Sequence, residues 1–368
     1  MKYRLGEICD VVSGGTPSRA TAEFWDGGTI PWIKIGNIQR KYVDEADEYI
    51  TQAGLEGSSA KMLSAGTILF TIFATLGEVG ILTIEACTNQ AIAGITIKNQ
   101  SDILTDYLYY FLKSQKSCIA ALGRGVAQNN INLSILRNFE VPIPDLPMQK
   151  QIVAILDKTA KVVEVRQQQL QQLDELVKAR FVELFGDGNH PHIALIDLII
   201  EGAGLSYGIV QPGDDGTGDM GVLRPVDMVD GKISTASIKY IDRSIGDGFK
   251  KTELYGDELL ITVRGTTGIT ALTDIRFNGM NVTRGIAVVR YDRNKINPVY
   301  LNAYLNTDES QRYIQEHTRG ATLQQINLSD LRVQQIMVPP LALQEQMAAF
   351  IEQTDKSKSV VQKALDEA

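Results

Sequence analysis

An internal duplication is the feature that most constrains how this chain of 368 residues folds. The segment Arg124–Arg137 aligns without gaps with Arg319–Arg332, and both copies contain the string Ile-Asn-Leu-Ser. The same offset of 195 residues continues through Pro144–Gln151 and Pro339–Gln346. Because a repeat of this length is a whole folding unit, we expect two related domains.

Weaker matches extend the duplication toward the start of each copy. Leu5–Ile8 pairs with Leu195–Leu198, and Gly66–Leu69 pairs with Gly256–Leu259, at an offset of 190 residues. The second copy therefore carries a few extra residues midway. The copies diverge most between these anchors, where exposed loops are expected.

Short apolar runs alternate with glycine-rich turns in the first copy, a pattern typical of β-strands in a mixed α/β domain. The runs are Trp32–Ile35, Ile68–Phe73 and Ile92–Ile97. We predict a helix over Asp106–Leu122 and a strand over Phe139–Ile143. Asn132 and Asn327 each precede a short apolar segment and are predicted to cap a helix at its N-terminus.

A different pattern follows the first copy, where apolar residues recur at every seventh position. This row comprises Leu156, Val163, Leu170, Val177 and Leu184. Glycine and proline are absent from 148–185, and Gly186 is suited to end a helix. The tail offers a shorter row of Met347, Ile351, Val361 and Leu365. We predict two long helices that pair as a coiled coil; the alternative is that each packs on its own domain.

The composition limits which partners and compartments suit the chain. Its formal net charge is −8 and no segment is basic, which argues against uniform coating of nucleic acid but permits a local DNA-binding groove. Cys9, Cys87 and Cys118 form no Cys-x-x-Cys pair, as expected for a protein of the reducing cytoplasm. The longest apolar run, Ile193–Ile200, is interrupted by Asp197, so no membrane span is expected.

No catalytic signature stands out. The Gly-x-Gly-x-x-Gly string at Gly216–Gly221 follows no strand, so we interpret it as a surface loop. Asn297–Tyr300 is similar to the Asn-Pro-Pro-aromatic signature of amino-methyltransferases, but its third residue differs, and a capping Asn followed by Pro explains it. His190 and His192 are expected to lie in a linker. We therefore predict neither a catalytic residue nor a metal ligand.

The duplicated Asn-Leu-Ser and Pro-x-x-x-x-Gln-x-Gln elements, each followed by a heptad helix, resemble the specificity (S) subunits of type I restriction–modification systems. The segment Arg180–Asp187 at the end of the first helix is similar to the central region of that family. The resemblance covers nearly the whole chain. It implies two mixed α/β (α+β) target-recognition domains, at 1–145 and 187–340. It also implies two antiparallel long helices, at 146–186 and 341–368, of which the distal one is shorter here.

The resemblance also implies a function and partners. Each domain would read one half of a bipartite double-stranded DNA target, without catalysis by this chain. Two methyltransferase (M) subunits would dock on the helices, and restriction (R) subunits would join them. S-adenosylmethionine, ATP and Mg²⁺ are then expected on those partner subunits, and no cofactor on this chain.

Base readout requires polar and basic side chains on shaped loops, so we expect DNA-binding residues near the matched framework positions. In the first domain the candidates are Ser13, Gly15, Thr16, Ser18, Lys34, Asn37, Thr75, Arg124, Asn129 and Asn130. In the second they are Tyr207, Arg224, Asp227, Arg264, Thr266, Thr267, Arg284, Arg319, Gln324 and Gln325. Any of these could equally be a turn, cap or surface residue.

Two alternatives of other classes are also compatible with the sequence. One is a structural coiled-coil adaptor whose globular domains bind proteins. The other is a self-contained methyltransferase, which the absence of a cofactor fingerprint disfavours.

Overall fold

The computed structural model describes residues 1–123, 130–186, 188–211, 213, 218–229, 231–321 and 323–367. The chain divides into two compact units, Met1–Glu164 and Val165–Ala368, and the boundary falls inside a long helix. Two of the predicted DNA-binding residues, Arg124 and Asn129, lie outside the described residues. None of the described helices combines the length and the apolar character that crossing a membrane requires.

The described residues of the first copy form ten strands and, with the long helix that follows, six α-helices. The strands are β1 Lys2–Arg4, β2 Cys9–Ser13, β3 Ile30–Ile33, β4 Tyr42–Val43, β5 Glu48–Ile50, β6 Ile68–Thr71, β7 Val79–Leu82, β8 Cys87–Thr88, β9 Ile92–Ile97 and β10 Glu140–Pro142. The helices are α1 Leu5–Ile8, α2 Gln52–Glu56, α3 Thr105–Ser114, α4 Lys116–Gly123, α5 Leu133–Arg137 and the long α6 Leu146–Phe185.

Two sheets organise the first domain. The larger has the order β2-β9-β6-β7-β4, and the smaller has the order β5-β3-β8. Strand β1 pairs with β10, which ties the N-terminus to the segment before α6. The strands β6, β7 and β9 are buried along nearly their whole length, as expected for strands with neighbours on both faces. Helices α3 and α5 pack on this sheet through Leu108, Leu112 and Leu136.

In the second copy, the part of the chain that the structure describes forms thirteen strands and five α-helices. The strands are β11 His192–Ala194, β12 Ser206–Tyr207, β13 Met220–Leu223, β14 Met228–Val229, β15 Lys232–Ile233, β16 Lys239–Ile241, β17 Leu259–Thr262, β18 Thr270–Leu272, β19 Asn281–Val282, β20 Ile286–Val289, β21 Thr318–Arg319, β22 Gln325–Ile326 and β23 Gln335–Met337. The helices are α7 Arg243–Gly246, α8 Pro298–Leu305, α9 Asp308–His317, α10 Leu328–Arg332 and α11 Leu341–Asp366.

The second domain repeats the topology of the first except that its larger sheet lacks a counterpart of β4 among the described residues. Its larger sheet has the order β12-β20-β17-β18, and its smaller sheet, β16-β13-β19, copies β5-β3-β8 in both strand directions. Strand β11 pairs with β23 as β1 pairs with β10. The internal repeat predicted from the sequence is therefore confirmed.

A duplicated glutamine fixes the first turn of each long helix to its domain. Gln149 is fully buried; its side-chain oxygen accepts from the amide of Leu104 (2.9 Å), and its nitrogen donates to Asp102 O (2.8 Å) and Pro144 O (2.9 Å). Gln344 is also fully buried and makes the matching contacts with Asn297 N (2.8 Å), Lys295 O (3.4 Å) and Pro339 O (2.7 Å). The shared glutamine is thus a structural clamp.

Within the second unit, the end of α6 runs antiparallel to α11. Asp174 pairs with Lys358 at 2.6 Å, whereas the guanidinium of Arg180, further along α6, stands over the ring of Phe350, earlier in α11. Of the predicted seam, Val177, Leu184, Met347 and Ile351 pack into the core of the second domain, together with Phe185. The two helices therefore pair with each other here, as predicted. Helix α11 also packs on its own domain, whereas the end of α6 packs on the second domain and not on the domain that precedes it.

The other predicted seam residues, Leu156, Val163, Leu170, Val361 and Leu365, are half-buried. So is the second row of α6 at the same spacing, which comprises Ile152, Thr159, Arg166, Leu173 and Arg180. A stripe at seven-residue spacing is what a helix covered along one side produces. Helix α11, at 26 residues, is shorter than α6, at 40 residues.

One predicted helix was wrong in extent. The segment expected as a single helix over Asp106–Leu122 forms α3 and α4, which break at Gln115. The Ser114 hydroxyl donates to Phe111 O (2.7 Å) and the amide of Gln115 bonds to Leu112 O (3.1 Å), a tighter closure that ends the α-helix.

Both predicted caps occupy the position before a short helix. The Asn132 side chain accepts from the amide of Ile135 (2.9 Å), whereas Asn327 stands at the N-cap of α10 without a side-chain capping bond. The predicted caps are therefore confirmed in position, and Asn132 is confirmed in its hydrogen bond.

Candidate nucleic-acid interface

Turns at the strand ends bring most of the candidate residues of the first domain into one connected patch. Three main-chain hydrogen bonds join the turns, from Gly15 N to Thr88 O (2.9 Å), Asn89 N to Ile33 O (3.1 Å) and Ile72 N to Ala91 O (2.8 Å). A β-bridge between Phe73 and Asn130 adds a further segment. We call this patch the first rim; it comprises Ser13–Ser18, Lys34–Asn37, Phe73–Gly77, Thr88–Ala91 and Asn130.

The second domain builds the same patch with matching bonds. They run from Ile209 N to Val282 O (2.8 Å), Thr283 N to Leu223 O (2.9 Å), Val263 N to Gly285 O (2.8 Å) and Gly265 N to Gln324 O (2.9 Å). We call this patch the second rim; it comprises Tyr207–Ile209, Arg224–Asp227, Arg264–Gly268, Thr283–Gly285 and Gln324–Gln325. Residues far apart in sequence thus meet in the same arrangement in both domains.

A close crossing of two main chains explains a glycine in each rim. A Cβ on Gly14 would overlap the main chain of Thr88 and Asn89, and a Cβ on Gly208 would overlap the carbonyl of Val282. Main-chain atoms held in a strand cannot move aside as a flexible side chain can. Glycine at these positions therefore keeps the loop in contact with the neighbouring turn.

The third segment of each rim is a turn closed by a threonine. The hydroxyl oxygen of Thr71 accepts from the amide of Glu78 (2.8 Å), as that of Thr262 accepts from Ile269 (2.9 Å). Thr75 and Thr266 are exposed at the turn, as the sequence predicts for binding residues. Thr267 is instead buried, and its hydroxyl pairs with that of Thr318 (3.0 Å), so it holds the turn in place.

A buried carboxylate orients the basic residue of the second rim. Asp227 is fully buried and accepts from Arg224 Nε (3.1 Å), Arg224 Nη2 (3.1 Å) and the Arg224 amide (2.8 Å). The Arg224 guanidinium also donates to Ser237 O (2.5 Å). The prediction that Asp227 contacts DNA is corrected, because a side chain without exposed surface positions Arg224 instead.

In the first rim, the basic residue Lys34 is also held by a carboxylate, but this carboxylate comes from another strand. Lys34 pairs with Glu48 (2.6 Å), which also binds Arg19 (2.5 Å), and the Arg19 guanidinium lies 3.6 Å above the ring of Trp25. The Lys34 hydrogen bond is the main reason that the pKa of Glu48 lies below its ordinary value. Sequence reasoning missed Arg19 and Glu48, because only the pairing of β5 with β3 brings Glu48 to Lys34.

The other candidates divide into structural and exposed residues. Gly15 is buried, and Asn37 accepts from the amide of Lys34 (2.8 Å), so both support the rim. Arg319 pairs with Asp330 (3.7 Å), and Arg264 carries a buried Nε without a hydrogen-bond partner in the described part of the chain. The remaining candidates are exposed or half-buried: Ser13, Thr16, Ser18, Asn130, Tyr207, Arg284, Gln324 and Gln325.

The described residues contain no group of three His, Cys, Asp or Glu side chains that could hold a metal ion. The Asn297 side chain accepts from the amides of Val299 (2.9 Å) and Tyr300 (3.2 Å), which confirms its interpretation as a helix cap. Burial raises the pKa of Cys9 to about 12 and that of Cys87 to about 11, so neither is a ready thiolate at neutral pH.

Comparison with known proteins assigns this two-domain architecture to a family. The family described as "Type I restriction modification DNA specificity domain" matches residues 1–175 and 219–367. The chain therefore belongs to this family and carries its domain twice.

Individual relatives agree. The EcoR124I/EcoR124II specificity subunit of Escherichia coli is 33% identical over 42% of this chain and 39% of its own length. The MjaIX specificity subunit of Methanocaldococcus jannaschii is 22% identical over 95% of this chain and 85% of its own length. The chain thus spans less than half of the first relative and most of the second.

Solved structures reproduce the fold. The S subunit of a type I restriction–modification system from M. genitalium superposes with a TM-score of 0.57 at 15% identity, covering 100% of this chain and 92% of that one. A structure from a study of the assembly and conformational transition of the type I system gives a TM-score of 0.54 at 16% identity, covering 100% of this chain and 93% of that one. At these identities the likeness concerns the fold.

Proposed function

We propose that this chain is the DNA-specificity subunit of a type I restriction–modification complex, in which each rim reads one half of a bipartite double-stranded DNA target. The observation that carries the proposal is the pair of matched rims, whose main-chain framework is the same and whose side chains differ. A protein that reads two unlike half-sites needs this combination of constant scaffold and variable surface.

The chemistry of the rims supports recognition of DNA rather than catalysis. Basic, amide and hydroxyl side chains stand on turns of a rigid scaffold, and these groups read base edges and contact phosphates. The net charge of −8 fits a subunit that engages DNA within a larger complex, where partners supply positive charge. Free cysteines and a DNA target both fit a place in the cytoplasm.

We further propose that the two long helices dock two methyltransferase subunits, and that restriction subunits join the complex. The partner subunits would bind S-adenosylmethionine, ATP and Mg²⁺. In support, α6 and α11 each begin at the same glutamine clamp. A helix that is clamped at its start holds a docking surface in a fixed orientation to its domain.

Co-expression with a cognate methyltransferase subunit, followed by sequencing of methylated genomic DNA, tests the proposal. We expect a bipartite, asymmetric methylated sequence that depends on this chain. Exchange of residues 1–144 for the domain of another family member should change one half-site and leave the other unchanged. Methylation that is the same with and without this chain would refute the proposal and favour an adaptor, whereas methylation by the purified chain alone would identify an enzyme.

A further inference from the structure

One turn occupies the same position in both rims and carries a different exposed polar side chain in each. The turn is Asn89–Ile92 in the first domain, where the amide of Ile92 bonds to Asn89 O (3.2 Å). In the second domain it is Thr283–Ile286, where Ile286 bonds to Thr283 O (3.0 Å). Each turn leads directly into the second strand in the order of its larger sheet, β9 or β20, which has a neighbouring strand on both sides.

Strand register fixes which residues correspond. Thr88 pairs with Ile33 between β8 and β3, and Val282 pairs with Leu223 between β19 and β13, in parallel ladders of the same form. Two residues after each pair, the chain reaches the second position of the turn. Gln90 and Arg284 therefore stand at the same point of the framework, although gapless sequence alignment does not match them.

Both side chains at this point are exposed. The side-chain oxygen of Gln90 accepts a hydrogen bond from the Thr16 hydroxyl, which orients the amide. The Arg284 main chain is anchored to Ile209 O (2.9 Å), whereas its guanidinium has neither an ion pair nor a hydrogen bond with any described residue. The Gln90 amide is thus held by Thr16, whereas the Arg284 guanidinium is available to bind a ligand.

Two basic residues of the rims are already engaged within the protein. Arg224 is bound by the buried Asp227, and Lys34 by Glu48. A bidentate contact to a base edge needs two donor or acceptor groups that are not committed to protein partners. Arg284 supplies them, and the Gln90 amide retains its nitrogen and the second lone pair of its oxygen.

We propose that this turn position is a specificity-determining contact in both domains, with Gln90 reading an adenine in one half-site and Arg284 reading a guanine in the other. The inference rests on the proposed function and names the residues and base classes that carry it. A glutamine amide complements the N6 and N7 groups of adenine, and a guanidinium complements O6 and N7 of guanine. The Thr16 hydroxyl positions the Gln90 amide for that contact.

Exchange of the two side chain types tests the proposal in the complex of this chain with its methyltransferase subunits. Binding to DNA libraries randomised within each half-site is measured for the wild type, Gln90→Arg and Arg284→Gln. We expect Gln90→Arg to shift one base of the first half-site from adenine to guanine, and Arg284→Gln to produce the reverse shift at one base of the second. Each change in preference should be roughly 5- to 150-fold, the range for a bidentate base contact.

Matched controls make the same chemical changes outside the rims. Gln52→Arg on α2 and Arg312→Gln on α9 alter exposed residues and should leave both half-sites unchanged. A further variant, Thr16→Val, removes the hydroxyl that orients Gln90. It should weaken the adenine preference at the same base without replacing it by another.

The outcomes separate this inference from the proposed function. If the wild-type complex selects no bipartite sequence, the function itself fails. If the wild type selects one and both exchange variants, with unchanged thermal unfolding, keep its base preferences, only the assignment of the turn fails. Loss of preference spread over all bases of a half-site would also overturn the assignment, because one contact reads one base pair.

Discussion

At the scale of single residues, some polar side chains of the rims form hydrogen bonds and ion pairs within the protein. Others keep their polar groups free to bind a ligand. Asp227 binds Arg224 from within the same short segment, whereas Glu48 binds Lys34 and Arg19 from strand β5. Asp227 of the second domain and Asn37 of the first occupy the same position, in the first turn of a short 3₁₀ helix. The carboxylate of the second domain is thus replaced by an amide in the first. Arg224 and Lys34 are therefore bound by carboxylates from different positions of the same scaffold.

The glycine crossing gives a prediction at this scale. Gly208→Ala should destabilise the second domain by about 1–3 kcal/mol or more, because the added methyl group meets the Val282 carbonyl within a β ladder. Urea unfolding measures the change. Gly248→Ala is the matched control, since a Cβ there meets no atom within 4 Å. Equal stability of the two variants would contradict the crossing.

The buried glutamine clamp gives a second prediction. Gln149→Leu keeps a similar volume but leaves Leu104 N, Asp102 O and Pro144 O without their side-chain partner. We expect a loss of about 1–3 kcal/mol in the free energy of unfolding, the cost of burying unsatisfied main-chain groups. Gln151→Leu, two residues further along the helix at an exposed position, should change it by less than about 0.5 kcal/mol. If the two variants had the same free energy of unfolding, the hydrogen bonds of Gln149 would not contribute to stability.

The pH dependence of the first rim follows from the lowered pKa of Glu48. A carboxylate whose pKa is depressed by folding adds stability above its unfolded value, near 4.5, and that stability is lost as the pH falls through the folded pKa. Glu48→Gln should therefore reduce stability at pH 7 and flatten the decline in stability below about pH 4.5. Chemical unfolding across this range checks it. An acid decline as steep as that of the wild type would exclude a role for Glu48.

At the scale of elements, α6 belongs to both units because each end is built into a different set of contacts. Its start is held by Gln149 and by Asp157, which binds Lys41 (2.7 Å) and Tyr110 (2.6 Å). Its end places Phe185 within the second domain, where the ring packs edge-on against Tyr300 at 5.3 Å between centroids. The last turn of this helix is therefore part of a hydrophobic core.

Two neighbouring positions on α6 test that statement. Phe185→Ala should cost about 3–5 kcal/mol, as expected for an aromatic ring removed from a packed core, since the side chain is 1% exposed. Val182→Ala, at a position that is 66% exposed, should cost less than about 0.5 kcal/mol. Denaturant unfolding compares them. If truncation of Phe185 were as mild as that of Val182, the end of α6 would not contribute to the core.

Elements with local signals were predicted well from the sequence. The start and end of α6 follow from the Pro144 segment and Gly186, and the caps at Asn132 and Asn297 follow from short-range preferences. The break at Gln115 was missed because no Gly or Pro marks it. The site was predicted as a set of loops, but the match of Gln90 with Arg284 depends on strand pairing between distant segments.

At the scale of the whole molecule, one continuous helix links the two units. Under the proposed function, the length of this helix sets the gap between the half-sites and does not affect the half-sites themselves. An insertion of four residues after Gln167, upstream of the Asp174–Lys358 pair, adds about 6 Å of helix, or roughly two base pairs of DNA. We expect the gap between the half-sites to change and both half-sites to stay the same. Methylome sequencing reads both quantities, and a four-residue substitution at the same place, without added length, is the control. A change of half-site sequence at constant gap would refute this division of roles.

The position of Phe185 in the second core has a consequence for how such chains diversify. A genetic crossover placed at the start of β11 would join a new domain to a foreign helix end and leave its core without the fitting aromatic side chain. A crossover in the middle of α6, near the boundary between the two units, transfers each domain together with the helical turns that complete it. Recombination that yields folded chimaeras with new target sequences should therefore concentrate within the helix, away from the domain edges.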